Sequence, residues 1–439
     1  MRLGRIVLLA AVPVLTSRAA ADAVPTFNRD VAPLLHQRCA GCHRPGEVGP
    51  FALLSYADAR KRGRQIAQVT GRGLMPPWKA DAAAGEFRHD RRLSAEQIAV
   101  FRKWVEAGMP EGDAADLPPA PTFTDGWQLG TPDLVLKVPR PYTIPAEGRD
   151  VSVHFVLPLD FPRDTYLRGI EVRPENRRVT HHAVALLDSS GAARRLNTKA
   201  GGNGYVKLGS SGFVPRAVLV GYVPGQVNQF RDDDSVLTVG KGWDLVLQMH
   251  YHPTGKEETD LPAVGLYFTD HRPTRAVGLV LLGNEDVDIP AGKKKFRRVD
   301  SFRLPCAYEV RSVWGHMHLL GKEVRAWAEL PDGSSRSLLH IADWDFNWQD
   351  TYTYARPIVL PPGTLLRAEF VWDNSADNPR NPHSPPKRVV LGEGSADEMA
   401  AVLLTGCLVD AQNEVGLALA VRGQYLDFAS KGMNGKKKK

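Results

Sequence analysis

Downstream of residue 130 the sequence is a succession of short apolar runs. Leu134 to Val138, Val151 to Leu157, Val184 to Leu187, Val218 to Val223, Leu245 to His250 and Val264 to Phe268 follow one another between Pro, Gly and Asp turns. The same rhythm continues through Gly278 to Leu282, Val324 to Leu330, Thr364 to Trp372 and Ala400 to Leu408. Runs of this length, rich in β-branched and aromatic residues, predict strands, and their regular spacing predicts antiparallel sandwiches. Before residue 115 the period is helical. Ile98, Phe101, Trp104 and Val105 form one face, Ser94 and Gln97 are spaced as a capping box, and Gly108 follows, which predicts a helix from Ser94 to Ala107. A shorter helix is expected from about Asp30 to Gln37. The connector Leu117-Pro118-Pro119-Ala120-Pro121 separates the two regimes. The expected fold is therefore multidomain. A small all-α domain at 24–115 and a Pro-rich linker at 116–126 precede two all-β antiparallel sandwiches of jelly-roll type, at 127–270 and 271–428.

Composition places this pattern in a class. At 439 residues the chain is too long for one core, and 43% hydrophobic with 24% charged residues is the balance of a globular protein. Residues 1–23 differ: Arg2 and Arg5 precede an apolar run from Ile6 to Leu15, and Ala21-Asp22-Ala23 offers a cleavage site. This predicts a secretory signal and a secreted or periplasmic location, and no other run is long and apolar enough to span a membrane. The net charge of +7 sits mostly at the ends, with Lys431 and Lys436 to Lys439 forming a basic tail at 429–439. The body is close to neutral, so no nucleic-acid partner is expected, although Lys293 to Arg298 makes a small basic patch. Neither a phosphate-binding loop nor a Gly-x-Ser-x-Gly elbow occurs.

Cys39-Ala40-Gly41-Cys42-His43 is the attachment signature of a c-type haem, with two thiols for thioether bonds and an imidazole for the iron. Met75, in Leu74-Met75-Pro76-Pro77-Trp78, is the favoured second iron ligand because the prolines stiffen its loop; Met109 is the alternative. The segment Phe27 to Asp113 resembles a class I cytochrome c domain, and that resemblance implies that Trp104 packs on the haem. Histidine with methionine ligation suits a carrier that passes electrons onward, taken from a redox donor outside the chain.

Six of the thirteen histidines fall in three clusters: His181-His182, His250-Tyr251-His252 and His316-Met317-His318. Residues two apart on a strand face the same way, so His316 and His318 can share one metal ion. His181 and His182 can do so only if the strand kinks or different ring nitrogens are used, with His250 on a neighbouring strand as a third ligand. Met399, beside an apolar run, reads by default as a core methionine. Cys306 and Cys407 are an even pair in an oxidising compartment, most simply read as a disulfide.

From about Gly126 to Phe428 the chain resembles the catalytic core of the copper type II, ascorbate-dependent monooxygenases, the family of peptidylglycine α-hydroxylating monooxygenase and dopamine β-monooxygenase. The matching segments are Val179-Thr180-His181-His182, Leu247-Gln248-Met249-His250-Tyr251, His316 to Lys322 and Ser395-Ala396-Asp397-Glu398-Met399. The resemblance implies two copper ions. His181, His182 and His250 would hold the electron-transferring ion, and His316, His318 and Met399 the oxygen-binding, catalytic one. It implies the Cys306–Cys407 disulfide, hydroxylation of an aliphatic C–H bond of a small organic substrate by dioxygen, and electrons from ascorbate or another external donor. In this chain the haem offers their point of access to the first copper. Peptide-amidating members carry an arginine, an asparagine and a tyrosine that hold the substrate's carboxylate. Trp314, Ala401 and Leu403 stand there in this sequence, so a more apolar or aromatic substrate is expected. The competing expectation is an electron-transfer or copper-binding protein without oxygenase activity.

Overall fold

The computed structural model describes residues 24–123, 126–207, 211–226, 228–283, 286–392, 394–421 and 423–424. The expected signal segment and the basic tail lie outside them. The chain forms two compact units. One comprises residues up to Pro45, Phe51–Pro76 and Leu93–Pro121; the other comprises Gly46–Pro50, Pro77–Arg92 and everything from Thr122.

In the first unit the helices Ala32–Arg38, Tyr56–Gly71 and Ala95–Glu106 surround Phe27, Leu35, Ile66, Phe101 and Trp104. Ser55 with Asp58 and Ser94 with Gln97 close reciprocal capping boxes, which satisfy amide groups that each helix start leaves open. Trp104 is fully buried and donates its Nε1–H to the Pro110 carbonyl at 3.0 Å.

The second unit holds the strands. Two sheets enclose its first core, built on Phe155, Leu187, Leu247, Met249 and Leu266. One sheet has five strands in the order Tyr205–Val206, Val151–Pro158, Asp244–Tyr251, Thr180–Asp188, Ala217–Tyr222. The other has four, Leu134–Lys137, Ala263–Thr269, Thr165–Arg173 and Leu237–Val239. A second pair of four-stranded sheets encloses Val313, Met317, Val324, Phe370, Trp372 and Leu404. Its first sheet runs Val277–Gly283, Ala400–Leu408, Tyr308–Met317, Thr351–Leu360, and its second Phe296–Arg303, Leu365–Trp372, Gly321–Glu329, Ser335–Ile341. The pairings between strands are antiparallel.

The expected fold class is corrected by this architecture. The chain is predominantly β with few, short helices, and no self-contained all-α cytochrome domain followed by two jelly rolls is present among the described residues. The reason lies in Pro77–Arg92, which belongs to the strand-rich unit. Phe87 bridges to Tyr354, Trp78 meets the Tyr352 ring edge-on at 5.1 Å, and Ala80, Ala84 and Phe87 are buried in the second core. Three short helices offer too little apolar surface to cover these side chains, and burial on the sheet supplies it.

The expected Cys306–Cys407 disulfide is also absent. Both thiols are buried and unbonded to each other. Cys407 pairs across the ladder with Glu309, whereas Cys306 lies before the strand Tyr308–Met317, outside that ladder.

Candidate metal centre

His182 sits on the strand Thr180–Asp188 directly opposite His250 on Asp244–Tyr251. The ladder shifts register between Thr180 and His182. His181 is the extra residue of this bulge, and a bulge turns a side chain that a regular strand would send to the other face. The condition for adjacent histidines to share an ion is thus met by a kink. One ligand atom from each of His181, His182 and His250 lies within 4.8 Å of the others. The ring centroids of His181 and His182 are both close to that of His250, at 5.1 and 4.8 Å.

His316 ends the strand Tyr308–Met317, and His318 begins the turn closed by Gly321 N–H on the His318 carbonyl. Their rings are 5.1 Å apart. Ala400 pairs with Met317, so Met399 stands just before its strand at the level of His318. The two ligand sets adjoin, with the His182 and His316 centroids 6.0 Å apart.

Hydrogen bonds decide which nitrogen of each ring is available. His181 Nε2 donates to the Phe346 carbonyl at 3.1 Å, and His250 Nε2 donates to Asp150 Oδ2 at 3.1 Å. A carbonyl or carboxylate only accepts, so both protons are on Nε2 and both lone pairs on Nδ1. The Nδ1 atoms of His181 and His182 face each other at 3.0 Å. The other pair is locked the opposite way. His318 Nδ1 donates to the Asp397 carbonyl at 3.2 Å, and His316 Nδ1 donates to Gln349 Oε1. That amide oxygen is fixed because Gln349 Nε2 donates to Phe346 O at 2.9 Å. His181 and His250 thus offer Nδ1, His316 and His318 offer Nε2, and each of these four rings is oriented by an outer acceptor, which is how metal-binding imidazoles are held; His182 turns its Nδ1 toward that of His181. Burial, with the neighbouring histidines adding to it, lowers His181 to about 3 and His182 far below the usual value. Burial lowers His316 to about 4 and His318 well below 6.5. These rings are neutral near pH 7, the form that binds a metal.

Four further residues matter here, and no local pattern marked them. Asp150 accepts from both His250 and Ser395 Oγ, and its Oδ1 lies 3.6 Å from Nδ1 of exposed His252, so His252 caps Asp150 from outside the trio. Phe346 stacks on His181 at 4.2 Å, and Gln349 holds His316. Glu398, fully buried, accepts from the backbone amides of His318, Leu320 and Met399 and from Trp372 Nε1. Burial pushes its carboxyl up to about 8 against the pull of those donors. Beside the pair, Trp314 lies flat on His316 at 5.2 Å and 18°, Leu403 is its ladder partner, and Ala401 is that of His316. No cation stands at these three positions.

In the helical unit Cys39 and Cys42 are not joined in a disulfide. Burial pushes the Cys39 thiol up to about 12, which is not the low value of a reactive redox thiol. His43 Nδ1 donates to the Phe51 carbonyl at 3.1 Å, leaving Nε2 with its lone pair, as an iron ligand requires. The donor set fits a covalently attached haem. The Met109 sulfur lies against Gly63, which could not carry a Cβ without striking it. Met75 follows the helix Tyr56–Gly71, with its N–H on the Val69 carbonyl at 3.3 Å.

No family model matches this sequence, and no curated protein matches it. Among solved structures, the STIV MCP is similar over 64% of this chain and 96% of its own, at 8% identity and a TM-score of 0.24. PNGF-II covers 62% of this chain and 65% of its own, at 12% identity and a TM-score of 0.26. The VP2 subviral particle of infectious bursal disease virus covers 64% and 72%, at 8% identity and a TM-score of 0.18. Similarity at this level carries no argument about function. No helix among the described residues is long and apolar enough to cross a membrane.

Proposed function

We propose that this protein is a secreted or periplasmic copper-dependent monooxygenase. It hydroxylates an aliphatic C–H bond of a small organic substrate with dioxygen, and its electrons pass through a c-type haem from an external donor such as ascorbate. The observation that carries the reading is the opposed locking of the two ligand sets, with Nδ1 free on His181 and His250 and Nε2 free on His316 and His318. An all-imidazole set serves both copper oxidation states, whereas two imidazoles with a soft thioether favour the reduced ion that meets dioxygen.

Each residue then has a task. His181, His182 and His250 hold the ion that stores an electron. His316, His318 and Met399 would hold the second. Bound copper supplies the one-electron redox change and an open position for dioxygen. Asp150, Gln349 and the Phe346 and Asp397 carbonyls would keep His250, His316, His181 and His318 in their metal-binding tautomers. Glu398 anchors the turn between His318 and Leu320 to the residue before Met399. Trp314 and Leu403 form an apolar wall beside the pair and favour an uncharged, apolar or aromatic substrate over a carboxylate. Cys39 and Cys42 would attach the haem, and His43 and Met75 would hold its iron.

The 6.0 Å separation of His182 and His316 leaves little space between the sets, which favours a second reading, a copper-binding electron carrier that oxidises no substrate. Oxygen uptake by the reduced, copper-loaded protein with a panel of aromatic and aliphatic compounds separates the two. The oxygenase yields a product containing an atom from labelled dioxygen, while a carrier is reoxidised without product.

A further inference from the structure

The lysines of the tail and the basic patch Lys293 to Arg298 have no task in the chemistry proposed above. Between them in the fold stands a helix, 414–421, that follows the strand Ala400–Leu408. Every residue of it after Glu414 is Val, Leu, Ala or Gly, so it is apolar on all sides, and a helix of that kind calls for cover all round. It has cover on one side only. Leu417 is 3% exposed and lies so close over Gly278 that a Cβ there would strike it, and Ala420 and Val421 also pack on the second core. Val415 and Leu419, four residues apart and therefore on one face, are 68% and 62% exposed. Glu414 pairs with Arg216 at 2.6 Å, and Gln424 Nε2 donates to Asp300 Oδ2 at 3.3 Å, so the segment is held at both ends with that face outward. Asp300 belongs to the strand Phe296–Arg303, on which Val299 is exposed. Arg297 and Arg298 of this strand are paired with Glu369 and Asp286. Lys293 and Lys295, just before it, are exposed and have no acidic partner among the described residues.

We propose that this face docks the protein on an anionic phospholipid surface, with Val415 and Leu419 entering the headgroup boundary and the lysines meeting the lipid phosphates. Charge selects the occupant. Beyond Asp427 the sequence has no carboxylate side chain but five lysines, Lys431 and Lys436 to Lys439, and Tyr425, Leu426 and Phe428 come just before them. Apolar side chains beside clustered lysines are how an interfacial helix takes hold of an anionic bilayer: burial of the first and attraction of the second act together. A second copy of this chain would set the same cations against one another, which opposes association. The contact is with the membrane surface, since no helix among the described residues is long and apolar enough to cross it.

The test is co-sedimentation of the exported chain with vesicles of phosphatidylcholine and phosphatidylglycerol in a two-to-one mixture, against vesicles of phosphatidylcholine alone. The chain should pellet with the mixture and not with phosphatidylcholine alone. Raising salt from about 0.1 M to about 1 M, which shortens the screening length from about 10 to about 3 Å, should release it. Val415→Gln with Leu419→Gln, both at exposed positions, should weaken partitioning about tenfold. Lys431→Gln with the same change at Lys436 to Lys439 should weaken it more than about a hundredfold, at about fivefold per lysine. Equal pelleting with both compositions, pelleting with neither, or a Val415→Gln, Leu419→Gln variant that binds like wild type would overturn the proposal. So would a dimer, seen by sedimentation velocity without vesicles, that the same two changes dissociate, because the face would then join two copies of the chain.

Discussion

The imidazole of His154 offers a test of the strand-rich unit that is independent of any metal. It is fully buried, stacked on Tyr205 at 4.9 Å and 8°, and it shares its face of the strand Val151–Pro158 with Val156, which packs on Leu186, Phe213 and Val246. Burial lowers its pKa from 6.5 to about 4. The native state therefore takes up this proton less readily than the unfolded chain. The contribution is fully present above pH 6.5 and is lost as pH falls toward the folded value of about 4. At about 1.4 kcal/mol per pH unit, the loss across that window is about 3 kcal/mol. Replacing His154 with Phe keeps a ring on Tyr205 and removes the titration. Any cost of the larger ring is the same at every pH. Urea unfolding of the metal-free proteins, followed by circular dichroism from pH 7.5 to 4, reads the difference. Every other histidine is common to the two proteins, so the variant should gain about 3 kcal/mol relative to wild type on acidification. Parallel profiles would refute the reasoning.

Other expectations concern single residues. Gly406 lies where a Cβ would overlap the Glu309 carbonyl, so Gly406→Ala should cost about 3 kcal/mol in a urea titration by forcing apart the strands that carry His316 and lead from Met399; a change below about 0.5 kcal/mol would contradict this close approach. Glu398→Leu removes the acceptor of the His318 and Leu320 amides and of Trp372 Nε1, and should cost at least about 1–3 kcal/mol, whereas an unchanged unfolding midpoint would mean these donors have other partners. Cys39→Ser and Cys42→Ser together should abolish the covalent haem signal in a pyridine haemochrome assay of protein expressed with the c-type haem maturation system, and haem retained through acid extraction would exclude thioether attachment.

Much of the local order is legible in the sequence. The capping boxes, the helix carrying Trp104 and the strand ending in Leu247 to Tyr251 each follow from spacing within one segment. What escapes such reading depends on partners distant in the chain. The kink that aims His181 at the trio exists only because of its register against the strand of His250. The acceptor that fixes the His181 tautomer comes from Phe346, 165 residues away. Pro77 to Arg92 reads as part of a helical module, yet Trp78 and Phe87 find their apolar partners at Tyr352 and Tyr354. Cys306 and Cys407, which parity alone would join, are not bonded to each other, Cys306 lying before the strand that pairs with that of Cys407.

The most direct test of the two-copper site is a copper count combined with X-ray absorption on the reduced, fully loaded protein. The expected result is two coppers per chain with a sulfur scatterer that disappears in Met399→Leu, one copper lost in His316→Ala, and one lost in His181→Ala. A single copper per chain, or a spectrum without sulfur that Met399→Leu leaves unchanged, would contradict it.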